Sequence, residues 1–223
     1  MKRWRQQALT FRTRGGRRKG AGRKPSAGRR GVPHRFRPEH RKEHPVHVTL
    51  RASRRLPSLR KQRIFEAVRR SLGRTVRTWF RIVHYSVQAD HVHLLVEALD
   101  KNSLSRGLMG ATIRLARAVN RVLKRRGSVW SDRYHARALH TPREVRHGMV
   151  YVLMNWKKHL PGVTGLDPCS SAWSFTDWCV PPPIGPPDGS LDAAVQRPTT
   201  WLLRTGWKRR GLIDPAERPR TSS

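Results

Sequence analysis

Carboxylates are scarce in this chain: 14 Asp and Glu stand against 48 Lys and Arg in 223 residues, a formal net charge of +34. Between residues 46 and 160 the acids are Glu66, Asp90, Glu97, Asp100, Asp132 and Glu144, spread well apart. A nuclease built on a cluster of acidic metal ligands is therefore poorly supplied. Cysteine is rarer still, and Cys169 and Cys179 make neither a CxxC pair nor a zinc-finger spacing with histidine, so they read as reduced thiols without chemistry. Tyrosine occurs only at Tyr85, Tyr134 and Tyr151. No apolar run approaches the roughly 20 residues that span a bilayer. The basic stretch MKRWRQQALTFRTRGGRRKG lacks the apolar segment of a secretory signal. These absences lead us to expect a cytoplasmic protein with no membrane partner. The excess of positive charge has no use in a protein interior, and its meaning is attraction to a polyanion, nucleic acid first.

Three regions follow from the patterning. Residues 1–45 form a basic arm around GGRRKGAGRKPSAGRRG, too rich in glycine and charge to offset the entropy of ordering, so we expect it to be disordered until bound. Arg17, Arg18, Lys19, Arg23 and Lys24 are its candidate phosphate contacts, either as a generic tail or, through GRKP, as a loose relative of a minor-groove hook. Residues 46–160 carry the periodic segments. VHVTLRA alternates as a half-buried strand, and RIFEAVRRSLG reads as a helix stopped by Gly73. FRIVHYSVQ and HVHLLVEA form a hairpin around Ala89 and Asp90, with Val83, Tyr85, Val87, Val92, Leu94 and Val96 on its core face. A long amphipathic helix follows, and its cationic side, with Arg114, Arg117, Arg121, Lys124 and Arg125, is either a solvated face or a phosphate-binding one. RYHARALH is a short strand. TPREVRHGMVYVLMN opens on a capping box with proline at the first helical position. Residues 161–223, rich in proline and tryptophan, read as an extended tail packing intermittently. The fold class expected is α+β: a ferredoxin-like or RRM-like βαββαβ antiparallel sheet with an added C-terminal helix.

Within that frame His91 and His93 share one face of a strand, two residues apart. Such a pair either lies half-exposed on a sheet surface or holds a metal ion. Gln88 and Ser86 project beside them from the facing strand, opposite the apolar layer, so the pair faces solvent or a site under the last helix. That helix supplies Tyr151, with Asn155 four residues on.

The segments ADHVHLLVEA, VWSDRYHARAL and YVLMN, with LSRGLMGATIRLARAVN between them, resemble the single-tyrosine HUH transposases, most closely the REP-associated tyrosine transposases of bacteria. The resemblance covers residues 46–160. It implies a metal-dependent endonuclease and strand transferase acting on single-stranded or hairpin DNA, with Tyr151 as nucleophile and a 5′-phosphotyrosine intermediate. It assigns His91 and His93 as ligands of a divalent ion, magnesium or manganese. Asn155 either completes the metal shell or is a plain capping amide, and Gln88 is either a further ligand or a hairpin-end amide. No small-molecule cofactor is implied. Monomer and homodimer both occur among such enzymes, and the resemblance also implies a nucleoid-associated role. A free phenol titrates near 10, so deprotonation needs help that the sequence does not name. Tyr85 reads as core, which leaves Tyr134 as the rival nucleophile. Three competing readings stand beside this one: an RRM-like module that binds RNA or DNA without cutting it, a domesticated transposase that binds without cleaving, and a replication initiator or relaxase using the same HUH chemistry.

Overall fold

Alternation of apolar and polar residues produces four strands: β1 (Val46–Arg51), β2 (Phe80–Val87), β3 (His91–Ala98) and β4 (His135–Ala138). They form one sheet in the order β2-β3-β1-β4, every neighbour antiparallel. Helices α1 (Gln62–Gly73) and α2 (Lys101–Val122) complete the expected βαββαβ order, and α3 (Pro142–Leu153) is the added helix. A computed structural model describes residues 38–75, 77–160, 162–182 and 193–219. Most of the basic arm, including Arg17, Arg18, Lys19, Arg23 and Lys24, lies outside the described residues.

Side chains cap α2 and α3, the second as the sequence signals. Asp100 accepts a hydrogen bond from the Ser103 amide at the start of α2. At α3, Thr141 accepts from the Glu144 amide, and the Glu144 carboxylate reaches back to accept from the amide of His140, the residue before the cap, a shifted form of the capping box. The helix ends are less regular. Gly73 closes α1 without a left-handed turn, and a side chain there would stand 2.9 Å from the Ala193 carbonyl oxygen. The glycine is there for close approach of the C-terminal segment, not as a conformational stop.

Both sheet faces are covered. On the first, Leu50, Tyr85, Val87, Val92 and Leu94 pack under α1 and α2 with Val68, Leu72, Leu108 and Leu115. On the second, Val83 and Leu95 pack under α3 with Val145, Met149, Val152 and Leu153. Val83 was expected on the face of Tyr85. A register shift between Ile82 and His84 in β2 reverses the alternation there, so Ile82 joins the first core and Val83 the second.

The region beyond residue 160, expected as an extended tail packing intermittently on the domain, packs more fully and completes the second core with Leu166, Ala172, Phe175, Leu202, Trp207 and Ile213. It also closes the open edge of the sheet: the Val87 amide donates to the Cys169 carbonyl and the Gln196 amide to that of Ile82. Arg146 of α3 fastens it further, with two bonds to the Glu217 carboxylate and others to the carbonyls of Gly211 and Leu212. Short segments hold these contacts, chiefly α5 (Trp201–Arg204) and the 3₁₀ turns Ser171–Ser174 and Gly206–Arg210. No helix among the described residues is long and apolar enough to cross a membrane.

Asp167, wholly buried, anchors the same segment to the hairpin. Arg60 grips it through two bonds of 2.7 and 2.9 Å and also donates to the Val87 carbonyl. Arg60→Ala leaves that carboxylate buried without its cation and should cost about 3 kcal/mol of stability in chemical denaturation. A loss under about 0.5 kcal/mol, the range of ordinary surface substitutions, would show that the pair does not anchor the segment.

Candidate active site

The centre of the second sheet face is polar, and strand pairing determines which residues meet there. His93 lies opposite Thr49 of β1 and Ser86 of β2. Its Nδ1 is 3.1 Å from Thr49 Oγ1 and 3.2 Å from His47 Nε2. His91 stands beside it, ring centroids 4.6 Å apart, with its own Nδ1 2.6 Å from Asp90 Oδ1. In both rings the Nδ1 edge is engaged by an orienting neighbour. That is the arrangement in which Nε2 becomes the ligand nitrogen. Although burial works against the charge on Asp90, the His91 ring and Arg51 hold its carboxyl below the ordinary range.

Tyr151 comes to this pair from α3. Its ring centroid is 5.0 Å from that of His93 and 5.4 Å from that of His47, both edge-on. Lys158 places its ammonium 5.1 Å from the same ring. A cleft of about 440 Å³ opens beside it, lined by His47, His135, Arg137, Tyr151 and Arg218 among others. Arg137 pairs with Glu144 across 2.8 Å and Arg146 with Glu217, so the cleft has a mixed polar wall of both signs. The other tyrosines lie elsewhere: Tyr85 is buried in the first core and Tyr134 packs against it, on the opposite face of the sheet.

Asn155 does not continue the helix of Tyr151. The backbone breaks at Met154 (φ −112°, ψ 16°), and Asn155 begins a new short helix, α4 (Asn155–His159). Its side chain is completely buried, and neither amide atom makes a hydrogen bond. An orphaned buried amide costs about 1–3 kcal/mol, which calls for a partner of another kind. Gln88 is differently placed: its Nε2 donates to Ser86 and to Asp167, tying it to the buried Arg60 pair. Among the described residues no three His, Cys, Asp or Glu side chains are placed to hold a metal ion together. Any further protein ligand for an ion at His91 and His93 would come from other side-chain types, and the Asn155 amide is a buried group whose oxygen has no hydrogen bond.

The cationic residues of α2 are not brought to this cleft. Arg117, Arg121, Lys124 and Arg125 line a shallow depression of about 480 Å³ at the end of that helix, which packs on the other face of the sheet. Arg125 is partly spent on the Ser128 carbonyl and Lys124 takes a left-handed backbone (φ 49°), so both help turn the chain after α2. Arg114 sits one turn earlier on the helix.

The surroundings include residues that sequence reasoning missed. His47 and Thr49 carried a signal, since both fall on the polar face of the alternating VHVTLRA. His84, two residues before Ser86, is buried against Phe175 and Ser171. Burial pushes its pKa from 6.5 down to about 4, partly opposed by Asp177. At neutral pH the ring is uncharged when folded and mostly uncharged when unfolded. As pH falls from about 6.5 toward 4 only the unfolded chain takes up the proton, so stability is lost across that window and levels off below it. The loss should be on the order of 3 kcal/mol. His84→Gln should remove about that much of the pH dependence of unfolding, and an unaltered slope would show that another group controls it.

A solved structure described as a REP-associated tyrosine transposase bound to a REP hairpin is 18% identical, with a TM-score of 0.47, over 57% of this chain and 74% of that one. No curated protein matches the chain. The model of the family described as "Transposase IS200 like" matches residues 40–151, half of the chain, from just before β1 to Tyr151. The chain therefore belongs to the IS200-like transposases, a family of DNA-processing enzymes.

Proposed function

We propose that the chain is a metal-dependent endonuclease and strand transferase that cuts and rejoins single-stranded DNA beside hairpins of the REP-like kind. Tyr151 is the nucleophile and a 5′-phosphotyrosine the intermediate. The observation that carries this reading is the packing of the Tyr151 ring against His93 and His47 on the wall of a polar cleft. The hairpin substrate rests on the resemblance of ADHVHLLVEA and YVLMN to the REP-associated branch.

In the proposed reaction the Tyr151 phenol loses its proton and its oxygen attacks the phosphorus. The bond from phosphorus to the 3′ oxygen breaks in line, and that oxygen leaves as a 3′-hydroxyl after taking a proton. One phosphate ester replaces another, so a 3′-hydroxyl can later reverse the step and rejoin strands without an energy source. His91 and His93, through Nε2, with Asn155 and with Gln88 as a further amide, would hold a divalent ion, magnesium or manganese. When bound, that ion supplies Lewis-acid stabilisation of the charge developing on the phosphate. Thr49 and Asp90 orient the two imidazoles. His47, beside both His93 and Tyr151, is pushed down to a pKa of about 4 by burial and by the nearby His135 and Arg137. It is therefore neutral at physiological pH and able to accept a proton or a hydrogen bond. The basic arm and the α2 cations would contact flanking phosphates.

The test is incubation of the full chain with end-labelled single strands containing a hairpin, with manganese or magnesium. A covalent protein–DNA band that disappears on chelation is expected. Tight binding with no such band for any hairpin or metal would instead indicate a chain that binds without cleaving.

A further inference from the structure

A second cavity, of about 410 Å³, opens at the other end of the sheet, where β3 finishes at Ala98 and Leu99. Counting along the strand from His93 to Ala98 places it roughly 17 Å from the histidine pair. Two tryptophans line it, Trp79 from the turn before β2 and Trp201 from α5. Trp201 is 49% exposed, a large apolar surface left uncovered. It is held all the same, because it fills the space over Gly206, where a side-chain carbon would stand 2.7 Å from the ring. The Arg209 guanidinium lies 4.9 Å from its centroid, and that of Arg106 lies 5.7 Å from Trp79.

Lys42 and Arg81 also border the cavity. Of its two carboxylates, Glu97 is spent on Thr199 and Thr200, accepting from both amides and from the Thr199 hydroxyl. Glu43 alone remains on the exposed rim against these cations. Flat aromatic faces with guanidinium groups over them and lysine and arginine at the edge are what an unpaired nucleotide needs: a stacking surface for the base and charge for its phosphates. The volume lies within the roughly 300–1,000 Å³ of ordinary ligand sites.

We propose that this cavity is a subsite for an unpaired nucleobase of single-stranded DNA, stacked against Trp201 and Trp79 with its phosphates toward Lys42 and Arg81. The identification of DNA rests on the proposed function. At about 3.4 Å per stacked nucleotide the subsite lies about five nucleotides from the phosphate that Tyr151 attacks. Trp201 and Arg209 fall outside the residues matched by the family model, whereas Lys42, Trp79, Arg81 and Arg106 fall within them.

Photo-crosslinking tests it with the full wild-type chain. A single-stranded oligonucleotide carries 5-iodouracil at each position in turn, and adducts are mapped by peptide sequencing. Crosslinks to Trp79 or Trp201 from a narrow window of positions are expected. Adducts confined to other residues would overturn the subsite. In parallel, Trp201→Ala should weaken binding about tenfold or more, with most of it restored in Trp201→Phe. An abasic nucleotide in the window should weaken the wild type and leave Trp201→Ala unaffected. Equal weakening of both proteins by the abasic position would also overturn it, and so would equally tight Trp201-dependent binding of RNA. The covalent Tyr151 adduct is scored in the same reactions. Adduct without tryptophan crosslinks removes the subsite alone, whereas crosslinks without adduct remove the proposed cleavage alone.

Discussion

Tyr151→Phe should abolish the covalent protein–DNA band, by ~10³-fold or more, while Tyr134→Phe retains it. The single oxygen removed is the proposed nucleophile. The ring that remains still packs on His93 and His47, so stability should stay within about 0.5 kcal/mol of wild type. Loss of the band therefore reports chemistry and not unfolding, which a parallel thermal melt verifies. Tyr134 packs against the core on the other side of the sheet and has no route to the histidine pair without turning its strand over. A band that survives Tyr151→Phe and vanishes in Tyr134→Phe would overturn both the mechanism and the assignment of the catalytic face. Lys158→Ala adds a graded test: removing the ammonium 5.1 Å from the ring should slow adduct formation without preventing it.

The parts of the fold legible in the sequence were those governed by short-range rules. The capping box at Thr141 and Glu144, the alternation of β1 and the two-residue turn at Ala89 and Asp90 each depend on neighbours a few residues apart. The register shift in β2 was hidden because Ile82 and Val83 are both apolar and fit either face. Nothing at Met154, neither glycine nor proline, announced the break that separates Asn155 from the helix of Tyr151. The burial of Trp207 and Ile213 depends on contacts with α3, far away in sequence, and their proline-rich surroundings read as tail.

The candidate site divides along the same line. His91, His93 and Tyr151 belong to compact motifs, and the fold brings them together. The neighbours that orient them arrive through strand pairing. His47 and Thr49 meet His93 only because β1 lies beside β3, a topology that was expected but whose register no local pattern specifies. Gln88 shows the limit in another way. Its position on the histidine face was legible, whereas Asp167, which holds its amide nitrogen, lies 79 residues away.

His93→Ala should remove cleavage almost entirely, by ~10²-fold or more, and should also abolish Mn²⁺ binding followed by electron paramagnetic resonance without DNA. The second readout separates loss of a ligand from loss of a catalytic contact. Thr49→Val makes a subtler version of the same argument. It is nearly isosteric, keeps the strand alternation, and removes only the hydroxyl 3.1 Å from His93 Nδ1. If that hydroxyl sets the orientation of the imidazole, Mn²⁺ affinity should fall by roughly 10–100-fold, with the lost cleavage recovered at saturating metal. A Tyr151→Phe protein should keep its Mn²⁺ affinity while making no adduct, because it retains both histidines and the buried Asn155 amide. Mn²⁺ binding unchanged in His93→Ala would mean that the pair is an ordinary polar patch on the sheet, and the catalytic reading would then have to stand without a metal held at these two residues.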